Sequence, residues 1–447
     1  MASLTQAEEI LEALERGGWE AYLVGGCVRD MLLGRAAHDF DICTRALPEQ
    51  TARVFRDIPQ DDAGRRHGTV KLLLPQGDIE ITTFRREGGY TDGRHPGWVE
   101  FVPDVQTDLA RRDFTVNAMA WSPVRGYADP FGGQEDLKNK ILRCVGQPRR
   151  RFEEDGLRIL RGIRFAARFQ LAVEAGTMDA MIALAPLTRH LAPERAFEEL
   201  TGFLLAAQAE DILRFAPILT ALIPELASAV GFDQRSPHHA YDVYTHIAHV
   251  TQAVPAEPVL RWAALLHDIG KVPCFTLDEN GRGHFKGHAQ VGAQIAEAVL
   301  DRLKAPAALR REAVWLVAHH MTPVEPEERL LRRVLSRYGA ALLEALLALQ
   351  QADMESKGTR EHQAAPYFAR IRAALEEMER NEGRITLRAL AVNGRDMMDL
   401  GLSGRQIGQT LDRLLEGVLD GRIPNDRAAL LRAAKEELAC STIPTKP

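Results

Sequence analysis

Asp39 and Asp41 flank a single residue, Phe40. On an extended strand, residues i and i+2 face the same way, so the two carboxylates project together. Neighbouring carboxylates repel, and a hard divalent cation such as Mg2+ relieves the repulsion. Just upstream, Tyr22, Leu23 and Val24 read as a short buried strand. Gly25 and Gly26 follow, then Val28, Met31, Leu32 and Leu33 give the apolar face of a short helix that Gly34 ends. Such a strand–glycine–helix junction leaves free N–H groups at a helix N-terminus, with Gly26 and Arg29 at hand, and that is a favourable place for a phosphate. A triphosphate cradle beside a paired-carboxylate metal site is equipment for nucleotidyl transfer, with Asp39 and Asp41 as catalytic metal ligands.

The elements that must hold these residues follow in order. Thr5 and Glu8 can form a capping box for a first helix that ends at Gly17-Gly18. Residues 69–74 and 78–84 read as the two strands of a hairpin. In the second strand, Glu80 either joins Asp39 and Asp41 as a third carboxylate or faces solvent. Residues 87–97 are glycine-rich and polar and predict a mobile loop. RRDFTVNAMA, 111–120, has a charged start and an apolar end, which predict a helix entering a core.

Residues 152–169, FEEDGLRILRGIRFAARF, predict one helix. Leu157, Leu160, Ile163, Phe165 and Ala166 make its buried side, and Arg158, Arg161 and Arg164 a cationic stripe. The stripe suits a triphosphate or an RNA backbone, or is a solvated face with Glu154–Arg158 and Asp155–Arg158 ion pairs. Residues 176–230 are alanine- and leucine-rich with proline breaks, and 361–447 again look helical. In the latter, Ser403 is either a plain N-cap or, with Gly401, Gly404 and Arg405, part of an RNA phosphate site.

Histidines crowd residues 238–353: His238, His239, His246, His249, His267, His284, His288, His319 and His320, with Asp268 and Asp353 among them. Imidazole with carboxylate suits a transition metal such as manganese, nickel or iron, or magnesium less tightly held, able to activate water against a phosphoester.

Together, GGCVRDMLLG…HDFDI at 25–42, RRDFTVNA and EDGLR followed by RGIRFAARF resemble the bacterial tRNA nucleotidyltransferase/poly(A) polymerase family, class II, which holds the CCA-adding enzymes. The resemblance implies an α+β chain: a polymerase-β-like nucleotidyltransferase head, then an all-helical neck, an HD-type body and a tail. The expected bounds are 1–145, 146–230, 231–360 and 361–447. It implies addition of C, C and A to the tRNA 3′ end from CTP and ATP with release of pyrophosphate, or narrower CC-, A- or poly(A)-addition. It places Arg112 near ribose and triphosphate, and makes Asp155 and Arg158 the readers of the incoming base. Arg161 and Arg164 would position phosphates. The physics agrees: cytosine and adenine both offer an amino group beside a ring acceptor, which an Asp/Arg edge matches, whereas uracil and guanine present the reverse. LLHDIGK at 265–271 resembles the HD phosphohydrolase core. His246, His267, Asp268 and Asp353 fit its four ligand slots, and His288 with His319 or His320 the optional extra ones. That domain either hydrolyses a cyclic or terminal phosphate or is retained as structure.

The whole chain is consistent with this. At 447 residues it can bury more than one core. A hydrophobic share of 45% and a charged share of 26% fit a globular protein. The net charge of −6 means that any nucleic-acid surface must be local. Cys27, Cys43, Cys144, Cys274 and Cys440 are scattered, without C-x-x-C, as expected for free thiols in a reducing compartment. No signal peptide and no apolar run long enough for a membrane span is expected, which points to a cytoplasmic protein. None of these signals encodes an oligomeric state.

Overall fold

A computed structural model describes residues 3–37, 39–61, 63–89, 97–237, 239–325, 327–358, 365–382 and 385–441. The chain forms two compact units, Met1–Ala227 with Val299–Ala305, and Ser228–Ala298 with Pro306–Pro447.

The first unit begins with α1 (Leu4–Arg16). Its capping box is built on Ser3 and Gln6 rather than on Thr5 and Glu8, because Ser3 is the residue with extended backbone. Then come β1 (Ala21–Val24), α2 (Gly26–Leu32), β2 (Asp41–Thr44), α3 (Pro48–Val54), β3 (Gln60–Asp61), β4 (Thr69–Leu72), β5 (Ile79–Thr83), β6 (Arg85–Gly88), β7 (Trp98–Phe101) and α4 (Val105–Ala110). β8 (Ala120–Ser122), β9 (Gly126–Ala128) and α5 (Gly133–Lys138) finish the mixed part. Among the described residues, one sheet runs β3-β4-β5-β2-β1-β8-β9. β2 lies between antiparallel β1 and parallel β5. Tyr22, Val24, Cys43, Phe84, Leu109, Ala118 and Ala120 form one buried cluster on this sheet, and α1 contributes buried Ile10, Leu11 and Leu14.

An all-helical stretch follows: α6 (Pro148–Glu154), α7 (Leu157–Phe169), α8 (Ala175–Ala183), α9 (Pro193–Ala206) and two short helices, Ala209–Arg214 and Ala216–Leu222. Mixed sheet then helices makes the chain α+β.

Three stretches of the first unit also depart from the sequence expectation. The stretch read as a loop, 87–97, is partly a ladder: β6 pairs with β7, Glu87 with Val99. Residues 90–96 lie outside the described ones. The stretch 111–120 is no helix. Arg111 closes α4, 115–117 make one 3-10 turn, and Ala120 opens β8. Asp113 is the reason, since its Oδ1 accepts from the Phe114 N–H at 2.8 Å and the Asn117 amide at 3.2 Å, in competition with a helical ladder. The helix expected over 152–169 breaks at Asp155 (φ −148°, ψ 104°), whose Oδ1 accepts from the Leu157 N–H at 2.9 Å and restarts the helix as α7.

Among the described residues, the second unit is helical apart from a two-residue ladder, Thr276–Leu277 with Gly283–His284. Its helices include Val243–Ala253, Pro258–Leu266, His288–Arg302, Ala307–His319 and Ala340–Glu355. The tail helices Gly394–Asp399, Arg405–Leu419 and Arg427–Ser441 share a core of Met397, Leu414, Val418 and Leu430. Gly404 (φ 53°), not Ser403, is the N-cap of Arg405–Leu419, and no side chain caps that helix. Among the described residues, no helix is long and apolar enough to cross a membrane.

Candidate active site

Val24 pairs with Asp41 across β1 and β2. The chain leaves β1 at Gly25, so the start of α2 lies at the same end of the sheet as the Asp41 carboxylate. Gly25 has φ 77° and ψ −129°, and a Cβ there would lie 2.8 Å from Arg112 Nη1. This is the position that must be glycine. At Gly26 a Cβ would meet Arg29 Nη2 at an ordinary 3.5 Å. No side chain caps the first turn of α2.

Nine head and neck residues singled out from sequence line one cleft of ≈ 540 Å³: Gly26, Arg29, Asp39, Asp41, Arg112, Asp155, Arg158, Arg161 and Arg164. Motif reading passed over Glu87, Arg111, Asn117 and Arg195, which line it too. Asn117 stood inside the quoted RRDFTVNA run, while Arg195, on α9, carries no local sequence signal.

The Asp39 and Asp41 carboxylates make no hydrogen bond or ion pair with other described residues. Asp41 is open to the cleft, yet the protein atoms around it raise its carboxyl above the ordinary range; Arg112 opposes this, and Glu80 and Asp39 add to it. Two unpartnered carboxylates with an all-oxygen donor set fit a hard divalent cation. Glu80 is in register with Asp41 across β2 and β5, but its carboxylate binds Lys71 at 3.2 Å and it does not line the cleft.

The arginines are mostly held in place. Arg29 donates to Asn117 Oδ1 at 2.5 Å and, from Nη2, to Asp30 at 2.8 Å. Arg161 donates to Asp113 at 2.7 Å, and Arg164 to Glu199 at 2.5 Å. Burial alone would raise Asp113, but Arg161, the Phe114 amide and Asn117 together hold its carboxyl low. Arg158 is buried and donates from Nη1 to the Arg151 carbonyl and to Glu154, and from Nη2 to the Arg111 carbonyl. The Glu154–Arg158 pair is therefore present at 2.9 Å, and Glu154 also takes Arg151 at 2.7 Å.

The second unit gathers the histidines. His246, His267, Asp268, His288, His320 and Asp353 are all buried. His246 Nε2 lies 2.9 Å from Asp353 and 3.5 Å from Asp268 Oδ2; His267 Nε2 lies 3.2 Å from that same oxygen. His288 Nε2 stands 3.4 Å from Asp268 Oδ1 and 3.2 Å from His320 Nε2. Each of the four rings has Nδ1 on a backbone carbonyl: Ser356, Ala264, Phe285 and Val317 in turn. That fixes the tautomer and turns the Nε2 lone pairs inward. His267 Nε2 and Asp268 Oδ2 are buried and face each other, and Lys271 Nζ pairs with that oxygen at 2.7 Å. Such a donor set fits a transition metal. His320 takes the place left open between His319 and His320; His319 stacks on Trp315 instead. His238 lies outside the described residues. Gly270 lets the His288 helix approach, since a Cβ there would meet the His288 carbonyl at 2.2 Å. A cavity of ≈ 340 Å³ over the cluster is lined by His239, Lys271, Lys286 and Lys357, and burial, then Lys271, pushes His239 down to about 3.

Comparisons with known proteins agree with this layout. Residues 21–143 match the poly A polymerase head domain, 170–230 the probable RNA and SrmB-binding site of polymerase A, and 238–357 the HD domain. The CCA-adding enzyme of Bacillus velezensis is 31% identical over 422 residues, 94% of this chain and 95% of that protein. That of Levilactobacillus brevis is 33% identical over 436 residues, 96% of this chain and 97% of its own. The Bacillus stearothermophilus CCA-adding enzyme in complex with CTP superposes with a TM-score of 0.72 at 27% identity, covering 98% of both chains. The Thermotoga maritima CCA-adding enzyme complexed with tRNA shares the fold, with a TM-score of 0.57 at 21% identity over 97% of this chain and 95% of its own. Two relatives above 30% identity along nearly their whole length leave one conclusion: the chain belongs to the CCA-adding enzyme family.

Proposed function

We propose that this chain adds C, C and A to the 3′ end of tRNA from CTP and ATP, releasing pyrophosphate. One observation carries the reading: a single cleft holds the unpartnered Asp39/Asp41 pair, the Gly25-Gly26 turn with Arg29, and Asp155 with Arg158. Asp39 and Asp41 would hold Mg2+, which supplies activation of the RNA 3′-hydroxyl and charge neutralisation at the leaving pyrophosphate. The uncapped N–H groups of α2, with Gly26, Arg29 and Arg112, bind and orient the triphosphate. Arg161 and Arg164, pinned by Asp113 and Glu199, are preorganised cations for phosphate or ribose.

Base choice falls to Asp155 and Arg158. Leu157 takes Asp155 Oδ1, leaving Oδ2 to accept from an exocyclic amino group. Arg158 spends its Nη1 protons and one Nη2 proton on the protein, so Nε–H and the other Nη2 proton remain for ring acceptors. Both CTP and ATP match that edge.

The test is purified protein with Mg2+ and tRNAs ending before CCA, after C and after CC, given CTP and ATP singly and together. Complete CCA on all three, lost in Asp41→Ala, is the expected result. Addition of only C, only A or a long A tail would move the assignment to a CC-adding, A-adding or poly(A)-adding sibling, and no incorporation would end it.

A second reading applies to the HD-type cluster: metal-dependent hydrolysis of a phosphoester, favoured by the four inward Nε2 atoms gathered with Asp268 and Asp353 beneath a cavity rich in lysine. Manganese, nickel or iron suits those ligands.

A further inference from the structure

We infer that Arg35 and Arg168, gathered around the Phe169 ring, form a phosphate-binding subsite that adjoins the cradle at the start of α2 through Arg29. The inference rests on reading the cleft as a nucleotide-addition site.

Phe165 and Phe169 stand one turn apart on α7, with ring centroids 6.1 Å apart. Five guanidiniums surround them. Arg29, Arg35 and Arg168 lie 4.1, 5.2 and 5.4 Å from the Phe169 centroid. Arg164, Arg161 and Arg29 lie 4.5, 5.1 and 5.5 Å from that of Phe165. Three of these cations have a carboxylate: Arg29 has Asp30, Arg161 has Asp113 and Arg164 has Glu199. Arg35 and Arg168 have none among the described residues, and both are exposed.

Ring faces attract cations but do not cancel their mutual repulsion. Two guanidiniums without a carboxylate are thus held beside a third, Arg168 in the last turn of α7 and Arg35 just past the C-cap of α2, and Arg168 still lines the cleft. Planar forks with free N–H groups and a fixed aromatic backing match phosphate oxygens. Phe169 ends α7, whereas Asp155 precedes its start, so the subsite lies a helix length, roughly 20 Å, from the base reader. The phosphate comes either from the RNA strand or from the nucleotide's own terminal phosphates.

The experiment compares wild type, Arg35→Gln/Arg168→Gln and Arg35→Lys/Arg168→Lys. Measured are KM for CTP, KM for tRNA, inhibition by pyrophosphate, and the salt dependence of tRNA binding. An RNA source raises the tRNA KM about tenfold in the Gln pair and lowers the log–log salt slope by about 1–2. A nucleotide source raises the CTP KM and weakens pyrophosphate inhibition by a similar factor. In either case the Lys pair, which keeps both charges, recovers most of the loss. If the Gln pair matches wild type in all four measurements, the subsite does not exist, and the two arginines merely cover Phe169. A wild type that binds tRNA but adds no nucleotide refutes the addition reading instead, and the salt slope still judges the subsite.

Discussion

A methyl group at position 25 meets two obstacles at once, a backbone at φ 77° and Arg112 Nη1 at 2.8 Å. Gly25→Ala is therefore expected to cost about 1–3 kcal/mol and to displace Arg112, with a fall in addition rate that Gly26→Ala does not show. Equal effects of the two substitutions on denaturation midpoint and rate would refute the assignment. Asp113 gives a prediction in pH. Its folded-state pKa is depressed, so its stabilisation is present above the unfolded carboxylate range near 4 and is lost as pH falls through the lower folded value. Asp113→Asn should thus be less stable than wild type by roughly 2–3 kcal/mol at pH 7, with the gap narrowing toward pH 3. A gap independent of pH in urea melts would mean that Asp113 acts by shape alone. Both residues were visible in the sequence as types, a glycine in a turn and an acid after two arginines. Their burdens were not, because a close approach by residue 112 and a pairing with residue 161 are tertiary facts.

The hydrophobic pattern of 152–169 runs unbroken, since α6 and α7 each bury their apolar side, and periodicity does not register a break that leaves the pattern intact. What marks the break is Asp155 acting on the backbone, together with Gly156 packed so that a Cβ would stand 3.2 Å from Leu187 Cβ. The same blind spot covers 111–120, where Asp113 overrides a helical pattern. Asp155, if it reads the base as proposed, has two separable duties. Asp155→Asn keeps an oxygen for the Leu157 N–H, whereas Asp155→Ala loses it and should destabilise by about 1 kcal/mol more. Both should relax the preference for CTP and ATP over UTP and GTP. Loss of selectivity only in the Ala variant would assign Asp155 a structural role and remove it from base reading.

At the scale of the molecule, each constellation draws on distant segments within one unit. Asp41 pairs with Val24, next to Gly25, across the sheet, and α7 brings Arg161 to Asp113 and Arg164 to Glu199 of α9. The motifs gave the parts of this cleft, and only the sheet order and helix packing say which parts meet. The histidine cluster repeats the case: residues 246, 267, 268, 288, 320 and 353 converge from five helices or their ends, and the choice of His320 over His319 depends on which side of one helix end faces inward. Because the cluster and the addition cleft have no residue in common, their chemistries should separate. His267→Gln, which removes an inward Nε2, is expected to weaken Mn2+ binding to the metal-stripped protein by more than about tenfold. Addition of CCA in Mg2+ should stay within about twofold of wild type, as for substitutions without shared partners. Unchanged Mn2+ titration would make the cluster a hydrogen-bonded core rather than a metal centre. A parallel loss of nucleotide addition would show that the addition site depends on the cluster after all.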